Sequence, residues 1–397
     1  MKEHAAIFAW LLRNAEPPFL FWRAPDRETW ITAGAVRRWT LPQSADWRQW
    51  LREKPFSASP QEQLPRVAVL GFGPAAAAEG EWDHFPMLEV VDPILGYHQS
   101  DGQESFIGLD EARFPEEMSA GSGVHVPEQA ELRIQDWGAE EYRRIVTEGL
   151  DMIHGGQLEK IVLARSVTID LRPGFDPARA IVSLQHQPHS FSLLYSPDGE
   201  RFFLSATPER LGRIRDGRFA TMALAGTLTS PEGEAQDRDL LSDAKERAEH
   251  AYVVDMIRRE AGAFCESNIE DSVRLLKLPH VTHILTQFEG RVREGRGMGD
   301  VMASLHPTPA VAGTPRDAAV AGISALESFD RGLYAGCIGW VDSSGNGDAA
   351  VTIRSAVVNG GSAIAFAGAG IVEGSDPDEE EHETRAKLQT VLDILGS

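Results

Sequence analysis

Four glutamates fall into two pairs of equal spacing, Glu246 with Glu249 and Glu380 with Glu383. Residues three apart share a face of an α-helix, so each pair would set two carboxylates side by side. Taken alone, such a pair is ordinarily a solvated helix face, and the run DPDEEEHE around the second can be read as surface charge. Two pairs on two helices also permit a hard, oxygen-rich cage of the kind Mg²⁺ prefers, with positions left for water or substrate. Arg354, inside the apolar stretch AVTIRSAVV, is the least ordinary residue of the chain, because a guanidinium at a strand centre is costly unless it meets an anion. Lys160 at the head of KIVLAR and Glu209 in ATPERL are of catalytic type, yet a lone strand-end lysine is most often solvated and the same holds for the glutamate. His280 and His283, with no cysteine nearby, are a weak metal signal and read as structural. The chain has no GxSxG elbow, Walker loop or HExxH, and GAGIV at 368–372 lacks the third glycine and the strand-turn-helix setting of a dinucleotide loop.

The elements that must position these residues can be read from periodicity. After Asp136, Tyr142, Ile145, Val146, Leu150 and Ile153 recur at helical spacing until Gly155-Gly156. KIVLARSVTIDL then alternates, with Ile161, Leu163, Val167, Ile169 and Leu171 on one face and Lys160 opening the small-residue face. Two hairpins follow with Asp-Gly at their turns, FSLLY-SPDG-ERFFLSA and RLGRIR-DG-RFATMAL. A long helix is expected from Asp239 to about Phe264 and a short one over Arg316 to Leu326. Strands are expected at LYAGCIGWV, AAVTIRSAVV and SAIAFAG, and a final helix from about Asp378 to Leu395, with Leu388, Val391, Leu392 and Leu395 as its core stripe. Six of nine tryptophans lie in the first fifty residues, a region that reads as strands and turns. Lys54 to Pro65 and Met118 to Gln129 read as surface connections, the second as the best candidate boundary.

Composition bounds what the chain can be. Its 397 residues, 42% hydrophobic and 25% charged, suit an ordinary globular protein with a sizeable core. The net charge of −22 repels a phosphate backbone, so no nucleic-acid partner is expected. An anionic substrate would need a local cationic or metal-filled pocket. Cys265 and Cys337 are too few for a disulfide framework, read as core residues and suit a reducing cytoplasm. No apolar run approaches the ~20 residues of a membrane span, and no membrane association is expected.

Taken in order, KIVLAR, ATPERL, ALAGTL, KERAEH, VTHILTQFEG, LHPTPAVAGTP, FDRGLYAGCIGW, TIRSA and AGAGIVEGSDPDEEEHETRAKL resemble the chorismate-binding enzymes, and most closely the isochorismate synthases. The resemblance runs from about Asp136 to the C-terminus. It implies one α+β domain over 1–397, of large antiparallel sheets flanked by helices, with a variable part at 1–130 and the motif-bearing core at 136–397. It also implies chorismate as substrate and water as nucleophile, since water-adding members carry lysine where Lys160 stands and ammonia-adding ones carry glutamine. No glutamine amidotransferase subunit is then needed. By resemblance Lys160 is the base that activates water at C2 and Glu209 the acid that protonates the departing C4 hydroxyl. Mg²⁺ falls on Glu249 and Glu383, with Glu246 and Glu380 as further ligands. Arg354, beside Tyr334, is implied to take the enolpyruvyl carboxylate. Gly226, Thr227, Gly368 and Lys387 are implied to contact substrate carboxylates, and His283 to lie near the C4 hydroxyl. One departure is Glu381, where family members often have an aromatic residue. The rival within the class is a salicylate synthase, which goes on to eliminate pyruvate. HPTPAVAGTP and FDRGLYAG look more like the type that stops at isochorismate.

Overall fold

In a computed structural model of the chain, residues 2–41, 45–53, 64–73, 80–108, 130–229, 240–270 and 273–396 are described. Their strands form two antiparallel sheets. The first runs, in spatial order, Gly313–Thr314, Lys160–Arg172, Ser362–Val372, Ser355–Asn359, Arg201–Thr207, Phe191–Ser196, Phe19–Arg23, Thr29–Ala33, Leu95–Ser100 and Gln103–Ile107, and Glu131–Ile134 also pairs with the Lys160 strand. The second runs Cys265–Glu270, Val281–Val292, Arg218–Thr229, Arg210–Arg215, Gly347–Val351, Cys337–Val341, Arg66–Leu70, Leu88–Asp92 and Arg37–Thr40, with Arg274–Lys277 beside Val281–Val292. Residues ahead of 130 thus give seven strands to sheets whose other strands lie after 130. The expected α+β architecture of large antiparallel sheets with flanking helices is present.

Aromatic and branched side chains close the space between the sheets. Trp22 and Trp30 of the first meet Trp340 of the second, Trp22 edge to face at 6.0 Å, and Phe191 packs on Trp22 at 5.5 Å. A second core lies under the helices Lys2–Asn14, Pro177–Leu184 and Pro377–Gly396, the last of which contributes the anticipated stripe of Leu388, Val391, Leu392 and Leu395. The Lys160 strand serves both. Ile161 and Leu163 pack under the helices Ala139–His154 and Arg316–Leu326, whereas Val167, Ile169 and Leu171 enter the second core. On its other face Lys160, Val162 and Ala164 are buried, whereas Ser166, Thr168 and Asp170 are partly exposed. Both cysteines are buried.

Three expectations are corrected. The tryptophan-rich start is not all strand and turn: Trp10 lies in the helix Lys2–Asn14, and Trp47 and Trp50 in the helix Trp47–Glu53. LYAGCIGWV becomes strand only at Cys337, because Arg331–Gly336 folds into tight turns closed by Tyr334 N–H to Arg331 O (2.8 Å) and Gly336 N–H to Leu333 O (3.2 Å). AAVTIRSAVV is not one strand but two, Gly347–Val351 in the second sheet and Ser355–Asn359 in the first. Arg354 sits in the crossover with φ +50, so it is not at a strand centre. Met118 to Gln129 and most of Lys54 to Pro65 lie outside the described residues. No described helix is long and apolar enough to cross a membrane.

Candidate active site

Helix Ala244–Ala261 starts where Asp243 accepts from the Glu246 amide at 2.9 Å, and this N-cap fixes which face the glutamates take. Glu246 and Glu249 are each 8% exposed and point at a bulge in the Arg218–Thr229 strand. There the register slips at Gly226, whose φ is +78 and whose added Cβ would lie 2.8 Å from the Glu246 carbonyl. The bulge turns two successive amides outward: Thr227 N–H donates to Glu246 Oε2 at 2.5 Å and Gly226 N–H to Glu249 Oε2 at 3.2 Å. His250 pins the same helix, donating from Nδ1 to Ala225 O at 3.1 Å and accepting at Nε2 from the Thr286 hydroxyl at 2.8 Å.

Helix Pro377–Gly396 brings Glu380 and Glu383 to the same place. Lys245 bridges the two helices, with Nζ 2.6 Å from Glu380 and 3.3 Å from Glu246. Lys160 donates to Glu249 at 2.9 Å, and Lys387 to Glu383 at 2.6 Å and to Gly368 O at 2.9 Å. Glu381 points elsewhere, to Arg165 and Arg385, each at 2.9 Å. Burial, then the charges of Glu249 and Glu383, push Glu246 up to about 7. Burial and Glu383 likewise push Glu380 to about 7. Burial acts upward on Glu249 too, but Lys160 beside it holds the carboxyl below the ordinary range.

The donor set is oxygen only, buried and mutually repelling, which fits a hard divalent cation such as Mg²⁺. The cage is not closed as the side chains stand: among the described residues no three His, Cys, Asp or Glu side chains converge to hold an ion. Three lysines offset the carboxylates instead.

One pocket gathers eight of the expected residues: Glu209, Thr227, Glu249 and His283 with Tyr334, Arg354, Gly368 and Lys387. Glu246 and Glu383 line the adjoining pocket, which shares Thr227. Lys160 lies behind Glu249, Gly226 carries the bulge, and Glu380 sits beneath Lys245. Glu209 is 3% exposed, accepts from the Thr308 hydroxyl at 3.4 Å, and is raised to about 7 by burial against the pull of Lys160. Arg354 donates from Nη2 to His283 Nε2 at 2.7 Å. A guanidinium can only donate, so His283 is neutral with its proton on Nδ1, facing the Thr227 hydroxyl at 3.1 Å. Burial and Arg354 hold its pKa well below the ordinary value. Arg354 Nε is buried with no hydrogen-bond partner among the described residues, and burial lowers the group to about 10. A buried cation left in this state suits an anionic ligand. His283 is thus in the pocket, whereas His280 pairs with Asp393 at 2.7 Å.

Sequence reasoning missed Gly370, Thr308 and Lys245. A Cβ on Gly370 would fall 2.0 Å from Glu249 Oε1 and 2.8 Å from Lys160 Cε, so the glycine makes room for that ion pair. Its only signal is its place in the GAG triplet. Lys245 adjoins Glu246 in KERAEH, but its partner Glu380 comes from another helix.

The chain belongs to the chorismate-binding enzymes: residues 110–396 match the family described as "Chorismate binding enzyme". It is 31% identical to the isochorismate synthase MenF of Bacillus subtilis, over 95% of this chain and 87% of that one. It is 33% identical to anthranilate synthase component 1 of Thermococcus kodakarensis, over 76% and 71%. Its structure resembles that of the menaquinone-specific isochorismate synthase MenF of Escherichia coli with a TM-score of 0.78 and 26% identity, covering 98% of this chain and 91% of that chain.

Proposed function

We propose that the protein is an isochorismate synthase, an isomerase that adds water at C2 of chorismate and removes the C4 hydroxyl. The observation that carries the chemistry is one pocket joining Glu209, raised to about 7, to Arg354, a buried guanidinium whose Nε is unbonded among the described residues. Lys160 supplies the distinction between nucleophiles, because family members that add ammonia typically carry glutamine there. The identity to MenF of B. subtilis over nearly the whole chain supports the same choice.

Lys160 takes a proton from the attacking water as its oxygen bonds to C2. The ring diene shifts by one position, the C4–O bond breaks, and protonated Glu209 gives its proton to the departing oxygen, so a water enters and a water leaves. The step needs a proton on Glu209 and a free lone pair on Lys160. Lys160 must therefore first give up a proton, and its ion pair with Glu249, 2.9 Å away in the resting structure, must be discharged before it acts as base. Arg354, with Tyr334 beside it, holds the enolpyruvyl carboxylate, and Lys387, Gly368, Gly226 and Thr227 meet substrate carboxylates. Neutral His283, fixed by Arg354 and Thr227, lies near the C4 hydroxyl.

Glu249 and Glu383, with Glu246 and Glu380, would hold Mg²⁺. The ion when bound supplies positive charge between a dianionic substrate and the glutamates. The enzyme is read as cytoplasmic, and as acting without a glutaminase partner, which only ammonia users need. Chromatography of the products of chorismate and Mg²⁺, with a separate pyruvate assay, tests the proposal. Isochorismate with little pyruvate is expected. Stoichiometric salicylate and pyruvate at early times would make it a salicylate synthase, and anthranilate formed with ammonia would overturn the choice of water.

A further inference from the structure

A buried ion pair that the chemistry above leaves unused runs along the edge of the Lys160 strand. Gly313–Thr314 pairs with Lys160 and Ile161, and the Val162 amide still reaches Ala312 O at 2.8 Å. Farther along, Glu131–Ile134 pairs from Ile169 onward, and Gln135 N–H reaches Thr168 O at 3.3 Å. In the interval two side chains act in place of a strand. Arg331 Nη2 donates to Val162 O at 2.7 Å, and Glu327 Oε1 accepts from the Ala164 amide at 2.7 Å.

The two side chains are also joined to each other, Arg331 Nε to Glu327 Oε2 at 2.8 Å and Nη2 to Oε1 at 2.5 Å, and they are 3% and 1% exposed. The remaining nitrogen, Nη1, donates to Val311 O at 2.7 Å. The guanidinium lies over Phe72 at 4.4 Å and beside Tyr334 at 5.6 Å. One planar fork therefore ties the strand that begins at Lys160 to Val311 and Tyr334, which line the pocket together with Val162 of that strand. An ammonium cannot reproduce these bonds. A buried ion pair is a poor way to add stability, since an apolar pair of similar volume is often neutral or better. What it supplies here is geometry.

We propose that the Glu327–Arg331 pair is a positioning element of the active site, fixing the spacing between the Lys160 strand and the Val311–Tyr334 wall so that bound substrate meets the base in reactive register. The inference rests on the proposed function for the identity of the substrate and for Lys160 as its base. Neither residue touches the reacting atoms.

The test compares wild type with Arg331→Lys and with the double variant Glu327→Leu/Arg331→Met, which removes both charges and keeps apolar volume. Melting temperature, kcat and KM for chorismate are measured well below the melting transition. We expect kcat per folded molecule to fall about 10- to 100-fold in both, the scale of an ~1 Å misplacement, with KM changing less because Arg354 and Lys387 remain. The double variant should melt below wild type, because the Ala164 amide and the Val162 and Val311 carbonyls lose their side-chain partners, so both proteins are compared at a temperature where each is folded. If Arg331→Lys does not fold, the double variant carries the same readouts. Wild-type kcat in the folded double variant, or a loss explained wholly by its unfolded fraction, would show the pair to be merely structural and overturn the proposal. Turnover of chorismate by wild type tests the function separately, whereas the variant-to-wild-type ratio tests the pair.

Discussion

Gly370→Ala is the smallest change that reaches the proposed machinery without altering any charged group. Alanine suits a strand better than glycine, so the local backbone gives no reason for loss. The new methyl, however, would stand 2.0 Å from Glu249 Oε1, 2.7 Å from its carboxyl carbon and 2.8 Å from Lys160 Cε. To restore van der Waals separation the carboxylate must retreat by more than ~1 Å. It cannot do so without stretching the 2.9 Å bond to Lys160, a side chain with 0% exposure. Overpacking of a tight interior costs about 1–3 kcal/mol, and loss of a buried pair adds to that. A displacement of ~1 Å at a proton-transfer group costs on the order of 100-fold in rate. Thermal denaturation and steady-state turnover of chorismate should therefore show a lowered melting temperature together with a kcat loss of about that size. Gly297→Ala is the control, because its added methyl meets nothing within 4 Å. If Gly370→Ala keeps both the wild-type melting temperature and kcat, the Lys160–Glu249 contact has no part in the reaction.

Turnover should vanish in EDTA and return with Mg²⁺, and Glu249→Ala or Glu383→Ala should mimic metal loss in a folded protein; full activity in EDTA refutes the metal assignment. Lys160→Ala and Glu209→Gln should each lower kcat by at least ~100-fold, with substrate binding surviving better than turnover; near-normal kcat in Lys160→Ala would mean another group activates the water. Glu209 is raised to about 7 in the folded chain, against an ordinary 4.5, so the folded state binds the extra proton between these values and stability falls as pH rises through about 7. Glu209→Gln should thus melt with wild type at pH 5 and above it at pH 8, in paired thermal scans; an equal difference at both values would contradict a buried, proton-holding acid. Residues before and after 130 share both sheets, so we propose a single cooperative domain with one calorimetric transition, and two separable transitions would argue for two units.

Much of this fold is legible because its signals are local. The Asp-Gly turns at Asp198-Gly199 and Asp216-Gly217 mark hairpins that form as expected, and the helix Arg316–Leu326 has the bounds its pattern suggests. What escapes is set by tertiary routing. Thr352, Ile353 and Arg354 continue an apolar run without a glycine, so nothing local announces that the chain leaves one sheet for the other there. The positive φ of Arg354 follows from that crossover. Trp10 and Trp47 misled for a related reason, since aromatic content marks burial and leaves open whether a helix or a strand provides it.

The site shows the same division. Glutamates three apart on a helix declare themselves by spacing alone, whereas Lys245, Lys160 and Lys387 acquire their carboxylate partners by packing. This arrangement answers the charge conflict that composition raises. A chain of net charge −22 that gathers four buried glutamates beside a pocket for a dianion would repel its own ligand. The lysines neutralise the glutamates locally, yet Arg354 is left unspent: its Nη2 donates only to neutral His283 and its Nε to nothing among the described residues. Desolvation has therefore already been met at Arg354 before ligand arrives, and an incoming carboxylate gains a charge-assisted bond without first breaking an ion pair.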